Sequence, residues 1–450
     1  MVLIKDLDAI KQIQIAKFKD CSSRGKMSML SLHHPFRKFH IFNASGQRWR
    51  TIRGVCTRSY NSTHLRKMSH LLERCTDEFL EVLETMCSQD ESIDTLAICR
   101  TFAANTMLRT GFSFRMDERD KTGREVRDCV KKLTLRNIAV FQEGLLHWLS
   151  NCFPEFTLVI QLVLRMIESV QKPGVRELQD AIAPIIYARK SDPSERKKGD
   201  LLQSLIDAME SDCGGSNAAG DPIGTDEGKT TPPKQSFLSP VEVESNASLV
   251  LTAGTVNLSK YSSWLLYLLA RHQDVQEKVR DEIKTILQNG GVLNYDAVTK
   301  MQYLERVFLE SMRTHSSPSG FVTRLVEKEL DAGCVKIPAG VSIVIPTYLL
   351  HHDPELWQDP SSFDPERFRP ETFKPEDAGA YQPFGAGPRN CFAMAFSKNV
   401  IMLLAAKLVA KYKLVLSRAD HEADLNDNDM EDMLVLGYVK RGLYVKFKKY

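Results

Sequence analysis

Hydrophobic positions recur along most of this chain at spacings of three and four, the period of helices that bury one face. The first run, Leu3 to Phe18, sets Ile4, Leu7, Ile10, Ile13 and Phe18 on or near one side and predicts a short amphipathic helix. Cys21 to His40 shows no period and reads as a long loop, of a size that often carries function. Helices are predicted over Trp49 to Val55 and over Leu65 to Met86, the second with Leu65, Met68, Leu72, Cys75 and Phe79 on its stripe. Others follow at about 95–110, 123–150, 156–171 and 175–189, then from Leu201 to Met209.

Ser239-Pro240-Val241-Glu242 has the form of a capping box with proline at the first helical position. From it a long apolar helix runs through Leu249, Leu251, Leu258, Trp264 and Leu268 to about Ala270, apolar enough to cross the core. His272 to Leu287 and Gln302 to Thr314 continue the helical series, and Met394 to Tyr412 carries Val400, Ile401, Leu404, Leu408 and Val409 at the same spacing. Alternating stretches near Val322–Glu327, Val341–Tyr348, Met433–Tyr438 and Leu443–Phe447 read as strands. The pattern describes a mainly α body with a few small β-sheets (α+β) and no internal repeat.

Composition alters this picture in one place. Ser211 to Ser236 is Gly, Ser, Asp, Thr and Pro with almost no large apolar residue, so 211–238 reads as a flexible linker inside one domain spanning 1–450. Gly214 to Gly220 is not a phosphate loop, since no strand precedes it and no helix follows. A net charge of +3 over 450 residues gives no argument for nucleic acid. Ten cysteines without a C-x-x-C point to a reducing compartment, not to a disulfide framework or a zinc site. Sequons occur at Asn43, Asn61 and Asn246, and no apolar run is long enough to span a bilayer.

Candidate chemistry concentrates in Phe384-Gly-Ala-Gly-Pro-Arg-Asn-Cys391-Phe-Ala393. Its glycines permit a tight loop that a large group can approach closely. Cys391 stands at the mouth of the helix that follows, where free N–H groups and the macrodipole favour a thiolate. Such a sulfur is a nucleophile or a soft metal ligand; alone, it reads equally as an inert thiol in a glycine turn. No H-E-x-x-H, G-x-S-x-G or complete Walker loop competes with it, and His33-His34 and His351-His352 lack partners at zinc spacing.

The aromatic, the two glycines and the arginine before Cys391 resemble the haem-ligand loop of the cytochrome P450 family. The resemblance extends over nearly the whole chain: Trp49-Arg-Thr-Ile-Arg53 is similar to W-x-x-x-R, Glu310-Ser-Met-Arg313 to E-x-x-R, and Pro365-Glu-Arg-Phe368 to the P-E-R-F segment. It implies a P450 fold with haem b bound through Cys391 to its iron. It further implies that Trp49, Arg53, Arg389 and Arg324 meet the haem carboxylates, and that Phe384 and Gly387 frame the ligand. Glu310, Arg313 and Arg367 would form a buried structural triad. Leu201 to Asp207 and Phe363 to Pro370 look most like the animal microsomal group that includes drug- and steroid-oxidising members and thromboxane synthase. Against the family pattern, the chain looks N-terminally truncated, opening at the second helix without the anchor, first helix and first strands.

Two departures bear on activity. Aligning Ala253-Gly254 with the family's A-G-x-D/E-T-T places Val256 and Asn257 where the acid and threonine of the proton relay belong. Asn257 in this place resembles prostacyclin synthase and the sterol 7-hydroxylases; it serves either an oxygen ligand or the helix carbonyls. Ala393 stands where the family carries glycine. By resemblance, the chain is a haem-thiolate monooxygenase acting on a lipophilic small molecule with NADPH-cytochrome P450 reductase, on the cytosolic face of the endoplasmic reticulum membrane. The membrane surface is a further expected partner, with Met27, Met29, Leu30 and Phe141–Ile167 over the distal pocket; nucleic acid is not. The alternatives are a haem-thiolate isomerase or dehydratase of a lipid peroxide, or a non-catalytic or unstable remnant.

Overall fold

Ser239 starts the longest helix among the described residues, as its sequence dictates. The Ser239 hydroxyl accepts the Glu242 N–H, the Glu242 carboxylate accepts the Ser239 N–H at 2.8 Å, and Pro240 occupies the first turn. The helix Pro240–Arg271 is buried on nearly every face, its large apolar residues accompanied by small polar ones such as Ser245, Ser248, Ser262 and Ser263. In this computed structural model the described residues are 1–24, 39–87, 91–115, 121–136, 174–191, 199–210, 237–315, 322–373, 379–416, 430–431, 438–439 and 442–450, with a few between 156 and 166. Met27, Met29, Leu30, most of Phe141–Ile167, the stretch 211–236 and most of Met433–Tyr438 lie outside them.

Against the long helix lies Thr95–Phe112, so close that a Cβ on Gly254 would strike the Met107 thioether. Met394–Lys411 packs on it from another side, and the main core fills the space between. Gln302–Thr314 matches its predicted bounds, and the helices Gly174–Ser191 and Leu201–Glu210 lie close to theirs. The Leu238 N–H donates to the Ala208 carbonyl at 3.0 Å, so the described ends flanking 211–236 meet.

Several boundaries differ from the periodic pattern. Leu3–Phe18 is not one helix: Val2–Leu3 is a short strand, Leu7–Lys11 a helix, Gln12–Ala16 a π-turn and Phe18–Cys21 a 3₁₀ turn. Val2–Leu3 pairs in parallel with Ser342–Ile345, whose other edge pairs antiparallel with Val322–Leu325. Leu65–Met86 is interrupted at Met68, which leaves the helical region and caps Ser69–Met86. The strand predicted to Tyr348 ends at Ile345, and Thr347–His351 is helical. Tyr412 begins a strand, Tyr412–Val415, that pairs with Tyr444–Lys449. Asn246 is fully buried and binds the Ile41 N–H at 2.8 Å, so that sequon is structural.

Two packed imidazoles, the fully buried His351 and the half-buried His315, give the fold an acid limit. His351 accepts the Gln382 N–H at 2.9 Å through Nε2, and burial, with His352 and Arg313 nearby, pushes its pKa down to about 3. His315 stacks on Trp264 at 3.6 Å, and burial holds it well below the ordinary range. Unfolded histidines take up protons near pH 6.5 while these folded ones do not, so stability falls as pH drops through that window. His351 alone should cost about 2 kcal/mol between pH 6.5 and about 5, from ~1.4 kcal/mol per unit. Urea unfolding across that range should show the slope, and His351→Gln should flatten it.

Candidate functional site

The Cys391 loop is shaped by two left-handed glycines. Gly385 and Gly387 have φ of +71° and +69°, and the Cys391 N–H closes the turn on the Phe384 carbonyl at 2.9 Å. A Cβ at Gly387 would collide with the Gln14 carbonyl of the π-turn. Gly387 therefore docks the loop against the N-terminal segment and does not line the cavity, unlike Phe384 and Cys391. The helix opens at Met394 with Ala393 as its cap, three residues beyond the cysteine. Ala393 has φ −101°, a conformation open to any L-residue, so its methyl brings no backbone strain.

The sulfur's electrostatics depart from the simple helix-mouth expectation. Burial raises the Cys391 pKa, with the Ala393 N–H and Arg53 pulling the other way. Desolvation wins, so burial by itself favours the thiol. A coordinated metal would reverse this, because a ligating thiol is deprotonated outright.

Along one edge of the cavity stand the guanidinium groups of Arg389 and Arg324, both buried, and that of Arg53, half-buried. Arg389 donates to the Ser22 and Ala44 carbonyls at 2.6 Å each and lies 4.5 Å over the Trp49 ring. Arg324 donates to the Thr323 carbonyl at 2.7 Å and leaves Nε without a partner. Arg53 grips Asn390 through that residue's carbonyl and, at 2.7 Å, through its Oδ1. Burial pushes Arg389 down to about 9, with Arg324 and Arg53 adding repulsion, and burial pushes Arg324 down to about 10. None of these three forms an ion pair among the described residues. Collecting like charges in a poorly solvated place is costly unless an anion joins them.

The cavity has a volume of about 450 Å³ and joins that edge, Cys391 and the long helix. Ala253, Gly254 and Asn257 all line it. Asn257 Nδ2 donates to the Ala253 carbonyl at 2.9 Å, bonding the side chain back to its own helix. Val256 is buried outside the lining, and so is Thr255. Arg24, Tyr60, Thr347 and Gln382, which carry no motif signal, also line the cavity, as does Asn390 of the cysteine loop. Tyr60 Oη, Thr347 Oγ1 and Gln382 Oε1 are buried there without partners. A soft sulfur in one wall, unpaired guanidiniums at one edge and unfilled polar atoms between them fit a haem with two carboxylates.

Glu310, Arg313 and Arg367 lie off the cavity and hold one another. Arg313 spends all five of its N–H donors: two on Glu310 at 2.7 and 2.8 Å, and three on the carbonyls of His351, Pro360 and Ser362. Glu310 also accepts the Asp364 N–H at 2.9 Å and stands 3.3 Å from Arg367 Nε. Burial raises the Glu310 pKa, with Arg313 pulling the other way.

A helical body that presents one cysteine to a cation-edged cavity beneath a long buried helix has the design of a haem-thiolate protein. The family model described as cytochrome P450 matches residues 1–443, and the chain belongs to that family. It is 27% identical over 422 residues to cytochrome P450 3A6 of Oryctolagus cuniculus, covering 93% of this chain and 78% of that protein. Cytochrome P450 3A7 of Homo sapiens is 26% identical over 428 residues, with 92% and 76% covered. Cytochrome P450 6B5 of Papilio glaucus is 26% identical over 417 residues, with 92% and 81% covered. The chain is thus a cytochrome P450 monooxygenase, an oxidoreductase of the class that binds haem iron through a cysteine thiolate.

Glu310→Ala would strand Arg313 as a buried charge and should cost about 3–5 kcal/mol in chemical denaturation. Arg313→Lys keeps the charge but cannot reproduce the five-donor fork, so it should also destabilise, by less.

Proposed function

We propose that this chain holds haem b through the Cys391 sulfur and inserts one oxygen atom from O2 into a lipophilic substrate. Electrons would come from NADPH-cytochrome P450 reductase, at the cytosolic face of the endoplasmic reticulum membrane. Among the described residues no helix is long and apolar enough to cross a membrane. The observation that carries the reading is the single cavity shared by Cys391, the unpaired arginines and the Ala253–Asn257 turn. A thiolate-held haem supplies the electron push that favours O–O cleavage.

The residues of the chain supply the setting. Arg389, Arg324 and Arg53, with Trp49, would take the carboxylates, since guanidinium forks bind them bidentately. Phe384 and the loop backbone shield the sulfur from water. Ile41, Phe42, Leu249, Val250 and Val322 make the walls apolar, which favours a lipophilic substrate and excludes water. Asn257 accepts or donates a hydrogen bond but cannot ionise to deliver a proton.

That last point favours a second reading, the isomerisation or dehydration of a lipid peroxide, which needs neither an external proton relay nor a reductase. The two part on one measurement. Reduced protein under carbon monoxide should show a band at about 450 nm, and Cys391→Ser should lose both band and turnover. Monooxygenation requires NADPH and reductase for product; conversion of a lipid hydroperoxide without either would establish the isomerase. An unchanged spectrum in Cys391→Ser would overturn both.

A further inference from the structure

Arg53 does more than stand at the cavity edge. One of its guanidinium nitrogens donates to the Asn390 carbonyl, another to Asn390 Oδ1 at 2.7 Å, and its Cζ lies 5.7 Å from the centre of the Phe392 ring. It therefore touches the residue before Cys391 and reaches the face of the residue after it. Asn390 is itself fixed, its N–H donating to the Gly387 carbonyl at 3.0 Å within the short Gly387–Arg389 turn. The contact spans 337 positions of sequence and ties the helix Gly46–Ser59 directly to the sulfur's loop.

We propose that Asn390 pins the Arg53 guanidinium beside the sulfur, making the pair a positioning device that sets how electron-rich the ligand is. The inference rests on Cys391 as the haem ligand. A fixed positive charge near an electron-donating ligand stabilises the reduced, more negative state of the metal centre and raises its potential. An arginine serving only a carboxylate would not need its fork committed to the neighbouring main chain. Asn390 offers carbonyl and side-chain oxygen together, a bidentate acceptor that matches the fork without neutralising it. Asn390 is neutral, so it holds the charge in place without itself cancelling it.

The test is a redox titration of the haem-loaded full chain. Asn390→Ala should keep the reduced carbon-monoxide band at about 450 nm while its midpoint potential moves more negative. Arg53→Gln should shift it in the same direction, and Arg53→Lys should lie nearer the wild type. The double variant Asn390→Ala/Arg53→Gln should shift no further than Arg53→Gln alone, because the two act as one unit. Where Asn390→Ala does not load haem, Asn390→Asp keeps the acceptors, adds a negative charge against Arg53, and should likewise lower the potential. A wild-type potential in Asn390→Ala or Asn390→Asp, or additive shifts in the double variant, would overturn the proposal. Absence of the band from the wild-type protein would instead reject Cys391 as ligand, a separate outcome.

Discussion

A single fully buried arginine organises the half of the molecule that delivers the sulfur. Arg313 has no water to satisfy its five donors, and every one finds an oxygen: two on Glu310, three on main-chain carbonyls between His351 and Ser362. The His351 carbonyl ends a short helix, while those of Pro360 and Ser362 belong to an irregular stretch outside any helix or sheet ladder. The guanidinium acts as its template, and the stretch then presents Phe368 and the chain leading to Tyr381. Tyr381 donates to the Leu309 carbonyl at 2.9 Å, so the approach to the cysteine loop is fastened to the same helix. A buried ion pair is weak evidence for net stability, but here it specifies one geometry for an otherwise irregular segment.

A second constraint acts from the opposite direction. Gathering cations around the cavity is opposed by desolvation and, at Arg389, by repulsion from Arg324 and Arg53. The N-terminal segment is drawn into this arrangement, since Arg389 is held by the Ser22 and Ala44 carbonyls and Gly387 abuts Gln14. Binding free energy from a dianionic cofactor would be felt as folding free energy by the same segments, because ligands that bind only the native state stabilise it. The site and the fold around it are one cooperative problem.

Much of this was legible where the chemistry is local. The Ser239 box, the helix Gln302–Thr314 and the three-residue spacing of Glu310 and Arg313 are written in adjacent residues, and the structure keeps them. The sulfur's loop was legible for the same reason. What the pattern missed depends on contacts distant in sequence. Tyr412 continues the apolar run of its helix, and only pairing with Lys449 makes it a strand. Arg24 carries no periodic or motif signal, and Gly387 shows its purpose only beside Gln14. The thiol's preference was misjudged because helix-end electrostatics is visible in sequence whereas desolvation is not.

The bond from Leu238 to the Ala208 carbonyl has a consequence for evolution of the chain. It closes the circuit at the base of 211–236, so the body of the protein already has the two ends in hand. Lengthening a loop between fixed ends is thermodynamically mild, each doubling costing about 0.6 kcal/mol. The closure term itself therefore sets little limit on the length of that connection. Drift in sequence should accumulate at that junction first.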